Sequence, residues 1–271
     1  DRSPAGRLEA FMRDLYTHMR TIHLITRMVE RRLALRPKPA RRLPSLRSFF
    51  GGGKKTETLD GFNIIDGELV PISPRIFKDQ PRRLMRVFLH AQQRGLEFHP
   101  DLTQLLRDNV SLVDDDFVHD TENHETFLEI LNQRGNVAPA LRAMHEVDLL
   151  GRYIPEFGRM TCLVQHEFFH AYAADEHTLV CLEKLDQVWD AAQPPFAHYT
   201  HILQDIDLPY LLYLALFLHD AGKGMGSGDH VKDGTVVCQK VGERLGLTPR
   251  RLARLKFLVE HHLLMAEVSQ R

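Results

Sequence analysis

The sequence predicts an all-α protein with one small β-hairpin. Two observations carry that reading. Apolar residues recur at three- and four-residue steps through nearly every stretch after Pro74, which is the period of an amphipathic helix. The connections between those stretches are short, so neighbouring helices are expected to pack antiparallel. The exception is an Asp66-Gly67 pair between two short apolar runs, a hairpin signal because both turn positions favour residues that tolerate positive φ.

Residues 8–35 read as one long helix, with Leu8, Phe11, Met12, Leu15, Tyr16, Met19, Ile22 and His23 on the helical period. Arg36-Pro37-Lys38-Pro39-Ala40-Arg41-Arg42 ends it, since proline lacks the helical donor and clashes with the preceding turn. The basic stretch that runs on to Gly51-Gly52-Gly53-Lys54-Lys55 reads as a mobile linker. Phe62, Ile64 and Ile65, then Leu69, Val70 and Ile72, form the two arms of the hairpin. Helical periodicity follows over 81–95, 99–109, 123–132, 137–149, 160–190, 209–219, 232–245 and 249–265. Asp114-Asp115-Asp116 falls between helices and reads as a solvated loop. Glycine and proline interrupt the pattern at 151–157, and histidine density rises beyond it. The chain therefore divides into a leading helix with basic linker (1–55), a helical middle region with the hairpin (56–154) and a helical bundle (155–271).

Composition narrows the function classes. The chain has 271 residues, 43% of them hydrophobic, enough for one large or two modest cores. A net charge of −1 gives no general electrostatic grip on nucleic acid, so no nucleic-acid partner is expected. No apolar run approaches the roughly 18 residues of a membrane span, and no signal peptide opens the chain. Cys162, Cys181 and Cys238 are scattered and odd in number. They read as reduced thiols of a cytoplasmic protein, not as a disulfide frame or a CxxC zinc site.

The chemistry-bearing residues are histidines, 16 in all, nine of them between His166 and His262. Four segments stand out: His177, then His219-Asp220, then His230, then His261-His262. His219-Asp220 ends the apolar run 211–218, where an imidazole and a carboxylate are costly unless paired or metal-bound. Each alone has a plainer reading: a core histidine bonded to a backbone carbonyl, an Asp helix cap, one buried and one solvated histidine. Together, on separate helices of one bundle, they favour a metal site of mixed nitrogen and oxygen donors. Such a metal lowers the pKa of bound water, which is hydrolase chemistry. His166 and His170 sit at i,i+4 on the helix expected to carry His177; a structural role is favoured for His166, and His170 is left even. The stretch 222–228 contains Gly-Lys but lacks the following Ser or Thr and the earlier glycine of a phosphate-binding P-loop. It reads as a flexible loop carrying Lys223 and His230 over the site.

The order His…His-Asp…His-His resembles that of the HD superfamily of metal-dependent phosphohydrolases. More specifically, Ile154-Pro155-Glu156-Phe157-Gly158-Arg159, Gln165-His166, Asp175-Glu176-His177-Thr178-Leu179, Leu218-His219-Asp220-Ala221-Gly222-Lys223-Gly224, Gly228-Asp229-His230 and Glu260-His261-His262-Leu263-Leu264-Met265 are similar to the HD domain of bacterial protein-PII uridylyltransferase/uridylyl-removing enzymes. Upstream, Gly61-Phe62, Asp66-Gly67-Glu68-Leu69 and Phe77-Lys78-Asp79-Gln80-Pro81 are similar to that family's helical region. One departure is Tyr172-Ala173-Ala174-Asp175, where the family more often has a threonine and a valine.

The resemblance implies an HD bundle at 155–271 and a divalent metal held by His177, His219, Asp220, His261 and His262. Magnesium or manganese is implied first, with iron or zinc as alternatives. It implies hydrolysis of the uridylyl-tyrosine phosphodiester on the PII signalling protein, with Lys223 and His230 stabilising charge or donating a proton. The leaving phenol, of pKa about 10, departs more easily than an alkoxide. The family also carries a nucleotidyltransferase domain, regulatory ligand-binding domains and a further acidic segment. Their motifs are not found here, so uridylyl transfer and glutamine regulation would need domains beyond this sequence. Two alternatives remain open at this stage: an HD phosphohydrolase acting on a free nucleotide, and a degenerate HD module that serves as a regulatory scaffold.

Overall fold

The computed structural model describes residues 4–34, 57–164, 172–225 and 230–269. The linker expected at 36–55, His166, His170 and Gly228-Asp229 lie outside the described residues. The fold is largely all-α with one small sheet.

Helix α1 spans Pro4–Ala34. Its arginines tie it to the body. Arg20 donates to the His145 carbonyl at 2.6 Å and pairs with Asp148 at 3.0 Å, Arg27 pairs with Glu146, and Arg31 reaches Glu97 at 2.6 Å. Leu8, Phe11, Leu15, Ile22, Ile25 and Val29 are exposed. The apolar period that predicts this helix thus marks its outward side, not a packed one.

The expected hairpin is half of a larger sheet. Strands β1 (Glu57–Leu59), β2 (Phe62–Ile65) and β3 (Glu68–Pro71) pair antiparallel, and β4 (Glu97–Phe98) adds to β3 in parallel. Both two-residue turns are Asp-Gly with positive φ throughout: 49° and 87° at Asp60-Gly61, 51° and 85° at Asp66-Gly67. That is the turn whose twist matches the flanking strands. Asp60 then pins the first turn to helix α3 (Arg83–Arg94), accepting from Arg83 at 3.2 Å and from Arg86 at 2.9 Å, with the His90 ring at 3.2 Å.

Helix α2 (Ile76–Asp79) precedes α3, and α4 (Pro100–Asn109) follows β4. The three aspartates expected in a solvated loop instead start α5 (Asp115–His119). Asp114 caps it by accepting from the Phe117 amide at 3.0 Å, and Asp115 and Asp116 occupy the first turn, where negative charge suits the helix dipole. Asp120 caps α6 (Thr121–Leu131) in the same way. The helix expected over 137–149 is broken at Asp148, whose φ is 62°, into α7 (Ala138–Glu146) and α8 (Leu149–Tyr153). Helix α9 (Pro155–Gly158) follows. Of the helix expected over 160–190, residues 160–164 are turn and coil, 165–171 lie outside the described residues, and α10 spans Ala174–Trp189. Then come α11 (Ala197–Gln204), α12 (Pro209–Leu218), a 3-10 turn at Ala221–Met225, α13 (His230–Arg244), α14 (Pro249–Glu260) and α15 (Leu264–Ser269). Among the described residues no helix is long and apolar enough to cross a membrane.

One hydrophobic core runs through both the middle region and the bundle. Phe127 meets Tyr153 at 5.2 Å and Phe217 at 6.4 Å between ring centroids, and Phe157 stacks on Phe217 at 4.7 Å. Asp186 of α10 adds a polar clamp. It accepts from the amides of Val137 and Ala138 at 3.1 and 2.7 Å, which caps α7, and from the Tyr213 hydroxyl of α12 at 2.5 Å.

Where α8 and α9 cross, a Cβ on Gly158 would lie 2.5 Å from the Gly151 carbonyl oxygen. Backbone cannot yield as a side-chain tip can, so Gly158→Ala is expected to destabilise by about 1–3 kcal/mol. An unchanged urea midpoint would contradict this packing. A second expectation concerns acid. Burial pushes the Asp60 carboxyl up, but hydrogen bonds from Arg86, Arg83 and His90 outweigh it and hold the group below its ordinary value. The folded state therefore binds this proton more weakly than the unfolded chain. The contribution is complete above the unfolded pKa, about 4, and is lost as pH falls through the lower folded value. Asp60→Asn is expected to cost roughly 1 kcal/mol near neutral pH, a value reduced by partial solvent exposure. The gap to the parent should close on acidification; a gap constant down to about pH 3 would rule the account out.

Candidate metal centre

The centre is built where an apolar helix ends. Helix α12 is apolar around most of its circumference and is buried accordingly, with Leu214, Phe217 and Leu218 fully inaccessible. Its chain runs directly into His219 and Asp220, which are 8% and 3% exposed. A carboxylate there has lost its water and must be compensated by protein. Three groups face one of its oxygens. Lys223 Nζ lies 3.0 Å from Asp220 Oδ2, His219 Nε2 at 3.3 Å and His177 Nε2 at 3.7 Å. Burial pushes the Asp220 carboxyl up, but the His219 hydrogen bond and the charges of His219 and Lys223 hold it well below the usual carboxylate range. Asp220 is therefore an anion at neutral pH.

The histidines are oriented as ligands commonly are. His219 Nδ1 lies 2.6 Å from the Leu216 carbonyl and His262 Nδ1 2.6 Å from the Val259 carbonyl. A carbonyl only accepts, so each Nδ1 donates a hydrogen there; the Asp220 carboxylate likewise accepts from His219 Nε2, a proton that a bound cation would displace. Ligating histidines are typically fixed by such second contacts. The plainer sequence reading of His219, a core histidine bonded to a backbone carbonyl, thus describes one side of the ring only. The His177 and His219 rings are 5.5 Å apart and the His219 and His262 rings 5.3 Å.

The structure brings His177, His219, Asp220, His262 and Lys223 to one place. His261 is not brought in: it is exposed, with its ring edge-on to Phe257 at 4.6 Å. Lys223 is not on a flexible loop either. It belongs to the 3-10 turn, and its side chain is only 7% exposed because it is drawn in to Asp220. His230 opens α13, and its side chain lies outside the described residues.

Sequence reasoning missed Cys181. One helical turn after His177 on α10, its Sγ lies 3.6 Å from His177 Nε2, and His177, Cys181 and His219 offer donor atoms within 4.8 Å of one another. The i,i+4 spacing of His177 and Cys181 was the available signal. Also missed were the contacts that hold α10 in position. Asp175, 4% exposed, faces His145 Nε2 at 3.1 Å, and Arg142 donates to Glu176 and Glu183 at 2.9 and 2.7 Å. Burial pushes Asp175 up, but the His145 hydrogen bond and charge keep it ionised. Glu156 of α9, similarly kept below its ordinary value despite burial by its hydrogen bonds from Arg244, fastens α13 at 2.7 Å.

The donor set passes the chemical test for a divalent cation. It offers imidazole nitrogens, on rings two of which are held by backbone carbonyls, and one buried anionic oxygen, with a thiol beside them, all side chains that bind transition metals.

Residues 62–153 match the family described as the uridylyltransferase GlnD third domain. The chain is 32% identical over 267 residues to a protein of Cereibacter sphaeroides, a match covering 97% of this chain and 28% of that protein. It is 32% identical over 275 residues to one of Ruegeria pomeroyi, covering 100% and 29%, and 35% identical over 222 residues to one of Ectopseudomonas mendocina, covering 81% and 25%. All three are named bifunctional uridylyltransferase/uridylyl-removing enzyme. The chain spans less than a third of their length. Over most of its own residues, then, the chain is similar to a segment of the bifunctional uridylyltransferase/uridylyl-removing enzymes.

Proposed function

We propose that this chain is the uridylyl-removing part of such an enzyme: an HD-type phosphodiesterase, occupying 155–271, that hydrolyses the uridylyl-tyrosine bond of a PII signalling protein in the cytoplasm. The observation that carries the reading is the convergence of His177 Nε2 and His219 Nε2 on the buried, ionised oxygen of Asp220, at 3.7 and 3.3 Å, from two separate helical elements. His177, His219 and Asp220 would hold a divalent metal, with His262 beside them. When bound, such a metal neutralises phosphate charge and acidifies a water molecule.

The protein's own residues do the rest. Asp220 supplies the negative charge that makes the site selective for cations. The Leu216 and Val259 carbonyls hold the His219 and His262 rings by their Nδ1 sides. Lys223 secures Asp220 and keeps a positive charge beside the place where a phosphoryl oxygen would develop charge. His177, 29% exposed in its side chain, stands at the mouth, while Asp220, at 5%, lies at the bottom.

The test is incubation with uridylylated PII and Mn²⁺ or Mg²⁺, following release of UMP. Asp220→Asn keeps the shape and removes the anion, so metal content and turnover should both be lost while the circular dichroism spectrum persists. Lys223→Ala should retain metal and lose about 10- to 100-fold in rate. His262→Ala should weaken metal binding by a similar factor, whereas His261→Ala should not. Parental metal content and turnover in Asp220→Asn would remove the hydrolase reading in favour of a scaffold. Release of UMP only from a free nucleotide, never from PII, would redirect it to a small-molecule phosphohydrolase.

A further inference from the structure

We infer that Cys181 is a direct ligand of this centre and that its sulfur turns the site toward a thiophilic divalent cation of the zinc class, away from magnesium and manganese. The inference rests on the metal-site reading above and specifies it.

The geometry is the argument. A tetrahedral cation with bonds of about 2.0–2.3 Å to nitrogen, oxygen and sulfur holds neighbouring donor atoms about 3.3–3.6 Å apart. Cys181 Sγ stands 3.6 Å from His177 Nε2, and His219 Nε2 stands 3.3 Å from Asp220 Oδ2. His177 Nε2 to Asp220 Oδ2, at 3.7 Å, closes the link between the two pairs. His177, Cys181 and His219 fall within 4.8 Å of one another as donors. The four side chains come from two rigid positions, one turn of α10 and the end of α12, so their approach does not depend on a loop. Cys162 and Cys238 are buried elsewhere and belong to no such group among the described residues.

Donor chemistry then sets the preference. Magnesium takes six oxygens and keeps much of its water, and a site of two imidazoles, one carboxylate and one sulfur offers it a single hard donor. Zinc and cobalt(II) accept all four. A simple hydrogen bond between the thiol and His177 would give the same Sγ to Nε2 distance, so the test must read the sulfur–metal bond itself.

The probe is cobalt(II), titrated into the metal-stripped 271-residue chain. The parent should develop the intense near-ultraviolet band of a thiolate–cobalt bond together with the visible bands of a four-coordinate ion. Cys181→Ser should bind cobalt without the near-ultraviolet band. Cys181→Val should lose at least about tenfold in zinc affinity with little change for magnesium. On the parent alone, zinc should protect Cys181 from alkylation, mapped by mass spectrometry, so the result does not depend on any variant folding. Cobalt bound by the parent without a thiolate band, with Cys181 alkylated as fast in zinc as without it, would overturn the role of Cys181 and leave the His177–His219–Asp220 site standing. No binding of cobalt, zinc or manganese by the parent would instead overturn the metal site, and this inference with it.

Discussion

A single ionised oxygen buried at the end of an apolar helix constrains most of what surrounds it. Asp220 sits where α12 has just delivered a run of leucines and aromatics into the core. An uncompensated charge in that place would cost several kcal/mol. The structure compensates it from three directions, with a lysine three residues on, the adjacent histidine and a histidine of another helix. Each compensating group then has to be held. His219 is held by a backbone carbonyl of α12, Lys223 by the 3-10 turn, and His177 by the placement of α10.

That placement explains why the middle region is inseparable from the site. α10 is positioned by contacts reaching back across residue 154. His145 holds Asp175, Arg142 holds Glu176 and Glu183, and Asp186 caps α7 while accepting from Tyr213 of α12. The ties lie on one face of α10 at both of its ends, with His177 between them. The same helix is thereby fixed against α7 and α12 at once, and a centre shared between α10 and the end of α12 needs that fixing to sub-ångström tolerance.

The fold was legible in the sequence wherever one side chain period decided the element. Helices α3, α4, α6, α12 and α13 fall close to their expected positions because apolar spacing and flanking proline or glycine act locally, whereas the helix expected over 249–265 is interrupted by a turn at 261–263. The reading failed where a single backbone angle decided. Asp148 at positive φ breaks a helix that the spacing of its neighbours would continue. The Asp60-Gly61 turn carried the same two letters as Asp66-Gly67 and was legible but unread. β4 was not legible, since two residues have no period; it exists because the amides of Glu97 and of His99, just beyond it, meet the carbonyls of Gly67 and Leu69. At the site, sequence order gathered His177, His219 and Asp220, but adjacency could not choose between His261 and His262. That choice is made by the turn after α14, which bonds His262 Nδ1 to Val259 and leaves His261 on Phe257. Cys181 went unread because one cysteine in a helical apolar stretch looks like packing until His177, a turn away, and His219 are seen within reach of its sulfur.

The aromatic core explains how so polar a cluster is tolerated. Fully burying a large apolar side chain is worth about 1.5–3 kcal/mol, and Phe127, Tyr153, Phe157, Tyr213 and Phe217 are all at or near zero exposure. The rings of Phe127, Tyr153, Phe157 and Phe217 interlock across α6, α8, α9 and α12 without involving His177 or Asp220. The Glu156–Arg244 pair beside them satisfies its own charges and closes α13 onto α9. The apolar contacts that fold the bundle and the polar contacts that build the centre are thus carried by different faces of the same helices. α12 contributes its sides to one and the Leu216 carbonyl of its last turn to the other. A cation drawn to Asp220 would meet a cluster already held from behind by packing, and because it would bind the folded chain and not the unfolded one it would add to the stability of that fold by mass action.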